Sequence, residues 1–200
     1  DTREAAAMPG VVHVVTAREV MRLIPDPHYG PAFHDQPILA IEKVRHVGEP
    51  VAVVLANDPH AAEAAAGLVN VDYEVLPAVF DEVEAAASKV LVHDALKPAG
   101  TFPDLKHLAG RKGTNVALDY HLRHGDADKA FAEAAHVFDH TFKTQQVMHV
   151  PMEPMVTVAE PQDGGLLIHT ASQSPSFVRF EIARLQRAAL RWWPDQETKG

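Results

Sequence analysis

The stretch from Val44 to Pro77, VRHVGEPVAVVLANDPHAAEAAAGLVNVDYEVLP, constrains this chain more than any other. Val51–Ala56 is an uninterrupted apolar run, the signature of a strand covered on both faces. Asn57-Asp58-Pro59 then starts a helix. Asp58 can accept from free N–H groups, and Pro59 at the first helical position gives up a donor that had no partner there. Ala61, Ala62, Ala65, Leu68 and Val69 make one apolar stripe, and the small alanines let the helix lie close to a sheet. Val71, Tyr73 and Val75 alternate with Asp72 and Glu74, as in a half-buried strand. The stretch therefore reads as one β-α-β unit, right-handed if its strands run parallel. Gly48-Glu49-Pro50 separates Lys43–Val47 from Val51, so those two runs either pair or turn. The unit is a scaffold, with no reactive group that its geometry obliges to act.

The totals exclude several classes of function. A net charge of −9 argues against a surface that grips phosphate backbones, which needs clustered Lys and Arg, so no nucleic-acid partner is expected. The chain has no cysteine, which removes disulfides, thiolate nucleophiles and iron–sulfur clusters held by its own thiolates. No apolar run approaches the ~20 residues of a membrane helix. Cytoplasmic residence is the expectation.

Upstream of the unit, Val11–Val15 reads as a strand. Thr16-Ala17-Arg18-Glu19 has the form of a capping box, with Thr16 as cap and Glu19 reaching back. Val20, Met21 and Ile24 follow as a short helix ended by Pro25. Asp26–Pro37 is a loop, and Ile38–Ile41 resumes extended structure. Downstream, Asp81–Ser88 is a short helical turn, and Leu91–Gly113, rich in Pro, Gly and Lys, is a domain boundary or a long connector. A second pattern follows it: a strand over Val116–Leu122, and a helix opened by Gly125-Asp126 with Ala127, Ala130, Phe131 and Ala134 on one face. Val137–Thr144 reads as a strand with Phe138, His140 and Phe142 on one side. Met155–Ala159 and Leu166–Ala171 form a hairpin turning in Pro161–Gly165. Ser174-Pro175 starts a helix with Val178, Ile182, Leu185 and Ala189 in one stripe. The class is α+β.

Thirteen histidines invite a metal hypothesis. The closest pairs, His121/His124 and His136/His140, sit in or beside predicted strands, where residues i and i+4 lie ~13 Å apart. One ion does not bridge that span, so no metal ligands are assigned. Asp72 and Glu74 share a strand face, but alternation makes them its wet side. Gly110, Gly113 and Gly125 make no phosphate-cradling loop. Val147–Pro154 is an irregular corner, with two prolines bracketing Met152-Glu153. Thr170–Pro175 is a strand-to-helix turn in which the Gln173 amide can donate to a ligand oxygen, helped by the helix N-terminus. It is equally a plain turn leading into a helix.

These strings are specific enough to carry a resemblance. VGEPVAVV, an Ala-rich helix and then VDYEVLPAVFD resembles the hammerhead domain of the large subunit of molybdenum hydroxylases, the relatives of xanthine dehydrogenase, aldehyde oxidase and aerobic carbon monoxide dehydrogenase. GDADKAFAEAAHVFDHTFKTQQVMHVPMEP and DGGLLIHTASQSPSFVR are similar to the opening of that subunit's molybdopterin-binding region. The resemblance implies a molybdenum–molybdopterin cofactor and oxidation of an aldehyde, an N-heterocycle or a small gas with oxygen taken from water. It also implies FAD and [2Fe–2S] clusters on partner subunits, an FAD-binding subunit and an iron–sulfur subunit. The family's glutamine beside the apical oxo group of the metal matches Gln173. A preorganised amide donor is chemically apt there, since hydrogen bonds to ligands tune a metal centre. Met152-Glu153-Pro154 matches a motif near the site without an assigned role for Glu153.

The departures from the family shape the remaining expectations. No Gly-rich loop of the GGGFGGK kind follows the helix, and the family's glutamate base lies downstream of this sequence, so no catalytic residue is assigned. From Gln186, QRAALRWWPDQETKG diverges, as an altered frame or an early end would produce. The expected organisation is an N-terminally incomplete hammerhead domain over 1–83, a connector over 84–115, the start of the molybdopterin-binding domain over 116–185 and a divergent tail over 186–200. Such a fragment is expected to be inactive alone and to work, if at all, with a companion chain that completes the subunit. The alternatives are a non-catalytic docking module for iron–sulfur or flavin subunits, or a poorly folding remnant.

Overall fold

A computed structural model describes residues 1–96 and 110–190, with side chains up to residue 187. The chain divides into two units, Asp1–Asp119 with the segment from Ser176 onward, and Tyr120–Pro175. Helices and small two-stranded sheets are mixed throughout, an α+β content.

The first unit begins with α1 (Arg3–Ala7), β1 (Val11–Thr16) and α2 (Ala17–Leu23). Two short strands, β2 (His28–Tyr29) and β3 (Gln36–Pro37), pair with each other inside the predicted loop. Then come β4 (Ala52–Ala56), α3 (Pro59–Ala66) and α4 (Glu82–Ala87). β1 and β4 pair antiparallel, with Val14 opposite Val54 and Thr16 opposite Ala52. Ala5, Val14 and Ala65 are the centre of the core, and Met8, Val11, Ala52, Val54 and Val69 pack against them. Asp58 caps α3 as its position suggests, its Oδ1 accepting from the N–H groups of His60 at 2.9 Å and Ala61 at 3.0 Å. Gly10 turns the chain into β1 with φ +88°, and a Cβ there would lie 3.2 Å from the Ala61 side chain. A glycine is thus needed both for the turn and for the close approach of α3.

The expected β-α-β unit is formed in its first two parts only. β4 finds its partner in β1, and Val71–Val75 belongs to no strand, with Tyr73 56% and Val75 92% exposed. Alternation marks a segment as able to line a sheet, but a strand exists only where a neighbour takes its backbone hydrogen bonds. Nor is β4 covered on both faces. Val53 and Leu55 are exposed, because α1 and α3 pack on the Val14–Ala65 side alone. The capping box also gives way. Thr16 is the N-cap of α2 but its side chain makes no capping bond, and the Glu19 carboxylate meets His13 Nε2 at 2.9 Å instead of reaching back. Gly48-Glu49-Pro50 is a turn, with Gly48 at φ +94° and the Glu49 carboxylate accepting from the Arg45 backbone N–H.

The second unit holds α5 (Ala127–Glu133), capped by Asp126 through the Lys129 N–H, and the hairpin β5 (Thr157–Gln162) and β6 (Gly165–Thr170). Val116–Leu122 and Val137–Thr144, both predicted strands, belong to no sheet, for the same reason as Val71–Val75. The extended alternation of the second survives: the His140 ring lies 6.3 Å from Phe138 and 6.2 Å from Phe142, centre to centre. No residue from Tyr120 to Pro175 is buried, and Ile168 alone is as much as half-buried. The expected face of α5 is therefore uncovered, with Phe131 64% exposed.

α6 (Pro175–Leu190) follows and belongs, from Ser176, to the first unit. Its Val178, Ile182 and Leu185 are half-buried, while Glu181 is buried. Of the predicted connector, residues 97–109 lie outside the described residues, as do residues 191–200 of the predicted tail.

Candidate functional site

The turn from β6 into α6 carries Gln173. Gly164, at φ +80°, closes the hairpin, and the register Gln162–Gly165 to Thr157–Thr170 delivers the end of β6 to Ala171. The Thr157 and Thr170 hydroxyls meet at 2.9 Å across the open end of the ribbon. Ser172 Oγ then accepts from the Ser174 N–H at 3.0 Å, a local turn that spans Gln173. Pro175 opens α6 at the position where a missing N–H costs nothing. Gln173 is exposed, so its carboxamide offers two donors to whatever approaches the turn.

A molybdopterin group needs donors and an enclosing surface. The donor chemistry at Gln173 fits an oxygen ligand. The surroundings do not make a cradle, since nothing between Tyr120 and Pro175 is buried. Within this unit Gln173 therefore offers a donor but no closed site surrounds it. The Met152-Glu153-Pro154 corner is equally open, with Met152 99% exposed and Glu153 exposed. Just before it, Val150 holds φ +43°, a left-handed conformation uncommon for a β-branched residue. His121, His124, His136 and His140 are all exposed, and among the described residues no three His, Asp or Glu side chains converge as metal ligands.

Two polar clusters escaped the sequence reading. Glu181 is only 4% exposed, and its Oε2 accepts from Arg184 Nη2 at 2.9 Å. Arg184 Nη2 also donates to the His28 carbonyl at 2.6 Å. The i,i+3 spacing of Glu181 and Arg184 was the available signal. The other cluster joins Lys43, Arg45 and Glu49 to Val92 and Asp94, and no local pattern announces contacts of that separation.

Residues 1–77 match the model of the aldehyde oxidase and xanthine dehydrogenase a/b hammerhead domain, and residues 109–189 that of the molybdopterin cofactor-binding domain. A protein with these two domains in this order is of the molybdenum hydroxylase class. The chain is 37% identical over 170 residues to 6-hydroxypseudooxynicotine dehydrogenase complex subunit gamma of Paenarthrobacter nicotinovorans, covering 80% of this chain and 19% of that protein. It is 32% identical over 212 residues to a probable hypoxanthine oxidase of Escherichia coli K12, covering 92% and 22%. The crystal structure of quinoline 2-oxidoreductase from Pseudomonas putida 86 superposes with a TM-score of 0.68 at 30% identity, over 92% of this chain and 22% of that one. The chain belongs to the xanthine dehydrogenase family of molybdenum hydroxylases, as part of the cofactor-bearing large subunit. It spans about a fifth of the length of these relatives. The cofactor-domain match runs to residue 189 and α6 to Leu190, past Gln186, where the sequence reading places the divergent tail.

Proposed function

We propose that this chain is the hammerhead and opening cofactor-domain portion of a molybdenum–molybdopterin oxidoreductase that oxidises a carbon of an N-heterocycle. An aldehyde or a small gas is the less favoured substrate. The two matched domains in succession carry the reading, with an amide donor in the turn that leads into α6. The names of the similar proteins, with quinoline, nicotinate and xanthine among them, support the heterocycle. The cofactor would supply the two-electron oxidation, with the oxygen drawn from water. The role of this chain's residues is narrower: Gln173 donates to an oxygen ligand of the cofactor, and Ser172 holds the turn that aims it. No described residue is assigned as the base, so a companion portion of the large subunit supplies that group and most of the cradle. Subunits carrying FAD and [2Fe–2S] clusters take up the electrons, in line with relatives that are named as subunits of complexes. Residues 1–83, 84–115 and 116–185 remain the proposed division into hammerhead, connector and cofactor domain, and the cytoplasm the proposed location.

A second reading, a docking module without catalysis, draws on the exposed Phe138 and Phe142, 79% and 85% accessible. Molybdenum and pterin content of the chain purified from its own host, with co-purifying subunits identified, separates the two. Stoichiometric metal with partners present supports the enzyme. Partners without metal support the module. Gln173→Ala should keep the partners and lower turnover if the amide serves the cofactor.

A further inference from the structure

Val90–Asp94 lies between the two matched domains and is held on the surface of the first unit from both sides. Arg45 Nε donates to the Val92 carbonyl at 3.1 Å, and Lys43 Nζ lies 3.4 Å from Asp94 Oδ2. Two cations thus grip the residues on either side of His93. From the other direction, Asn115 Oδ1 accepts from the Val92 N–H at 2.9 Å, and its Nδ2 donates to the Val90 carbonyl at 2.8 Å and the Ala85 carbonyl at 3.0 Å. Arg45 is itself anchored by Glu49, whose side chain is 6% exposed. The Lys43–Glu49 turn therefore presents a fixed set of charges to the segment that crosses it.

We infer that Val90–Asp94 is an acid-released strap, seated on the Lys43–Glu49 turn while the His93 ring is neutral and detached when that ring gains a proton. The ring is half-buried between residues already held by cations. A protonated imidazolium there would add a third positive charge in a partly desolvated place. Burial is the main cause that lowers the His93 pKa below the ordinary 6.5, Arg45 adds to it and Lys43 contributes least, while Asp35 and Glu49 pull the other way. Asp94 also carries charge beside the ring, but it is engaged with Lys43. The balance favours the neutral ring in the seated strap. Detachment removes the burial and the nearby cations together, so proton uptake and release of the strap are linked.

Amide hydrogen exchange in the full chain tests this, at about pH 7.5 and about pH 5.5, on either side of the ordinary imidazole value. Corrected for the intrinsic effect of pH, the Val92 amide should be protected at the higher value and lose that protection at the lower one. His93→Gln, which keeps a polar side chain but cannot charge, should stay protected at both. Equal protection of the unaltered chain at both values would overturn the proposal, as would a matching loss in the variant. Should the variant fail to fold, the His93 ring is titrated by NMR in the unaltered, folded chain. Protection of the Val92 amide lost across the ring's own folded midpoint upholds the strap, and protection that persists once the ring is protonated sinks it.

Discussion

Arg184 Nη2 donates to the backbone carbonyl of His28 at 2.6 Å, across 156 residues of sequence. The same guanidinium holds the Glu181 carboxylate, and Glu181 is the most deeply buried charged residue among those described. The contact fastens α6 to the start of β2, and only Arg combines the reach with several fixed donors.

Arg184→Met should therefore destabilise the first unit by about 3 kcal/mol, because it strands a buried carboxylate as well as a carbonyl. Glu181→Gln should cost about 1 kcal/mol, since an amide oxygen still accepts. Urea unfolding followed by circular dichroism compares them. A smaller loss in Arg184→Met than in Glu181→Gln would contradict this account.

Two of the N-caps of the first unit, Asp58 and Thr16, should respond differently to truncation. Asp58→Ala removes two capping hydrogen bonds from α3 and should cost about 1 kcal/mol. Thr16→Ala removes no capping bond and should stay within about 0.5 kcal/mol of the parent. Thermal midpoints of the two variants, measured side by side, decide the matter.

Gly164→Ala should weaken the hairpin by about 1–2 kcal/mol, because φ +80° pushes a Cβ against the following carbonyl. An isolated ribbon has little margin, so the loss should appear as weaker cross-strand NOEs between Thr157 and Thr170. Unchanged NOEs would mean that the turn does not set the register.

The stability of the first unit should fall on mild acidification, in the direction His93 dictates. Above pH 6.5 the ring is neutral in folded and unfolded chains alike, and its contribution is fully present. Below that value the unfolded chain takes the proton first, and the contribution declines until the folded ring titrates as well. Urea midpoints from neutral to mildly acidic pH should show this component in the parent and lack it in His93→Gln. A component of the opposite slope would rule the assignment out.

Local chemistry was legible in the sequence, and pairing was not. Asp58, Asp81 and Asp126 each announce a helix by standing just before it, and each caps the helix it announces. The β5–β6 hairpin was legible because its turn is local. Val71–Val75, Val116–Leu122 and Val137–Thr144 show strand-like alternation, but a ladder depends on a distant partner that alternation does not name. Glu181 sat unnoticed beside an apolar stripe, because burial there is decided by the loop that α6 meets. Gln173 stands where a turn was expected, yet the surface that would enclose a cofactor is not something one glutamine reveals.

Asn115 acts as a surrogate peptide group for the strap, with one acceptor and two donors engaged. A carboxylate in its place would still accept from the Val92 N–H but would set a second oxygen, unable to donate, against the carbonyls of Ala85 and Val90 and add a negative charge there. The seating of the strap thus hangs on the chemical identity of one side chain reaching it from 23 residues further along the chain, and exchanging a single nitrogen there for oxygen would loosen it.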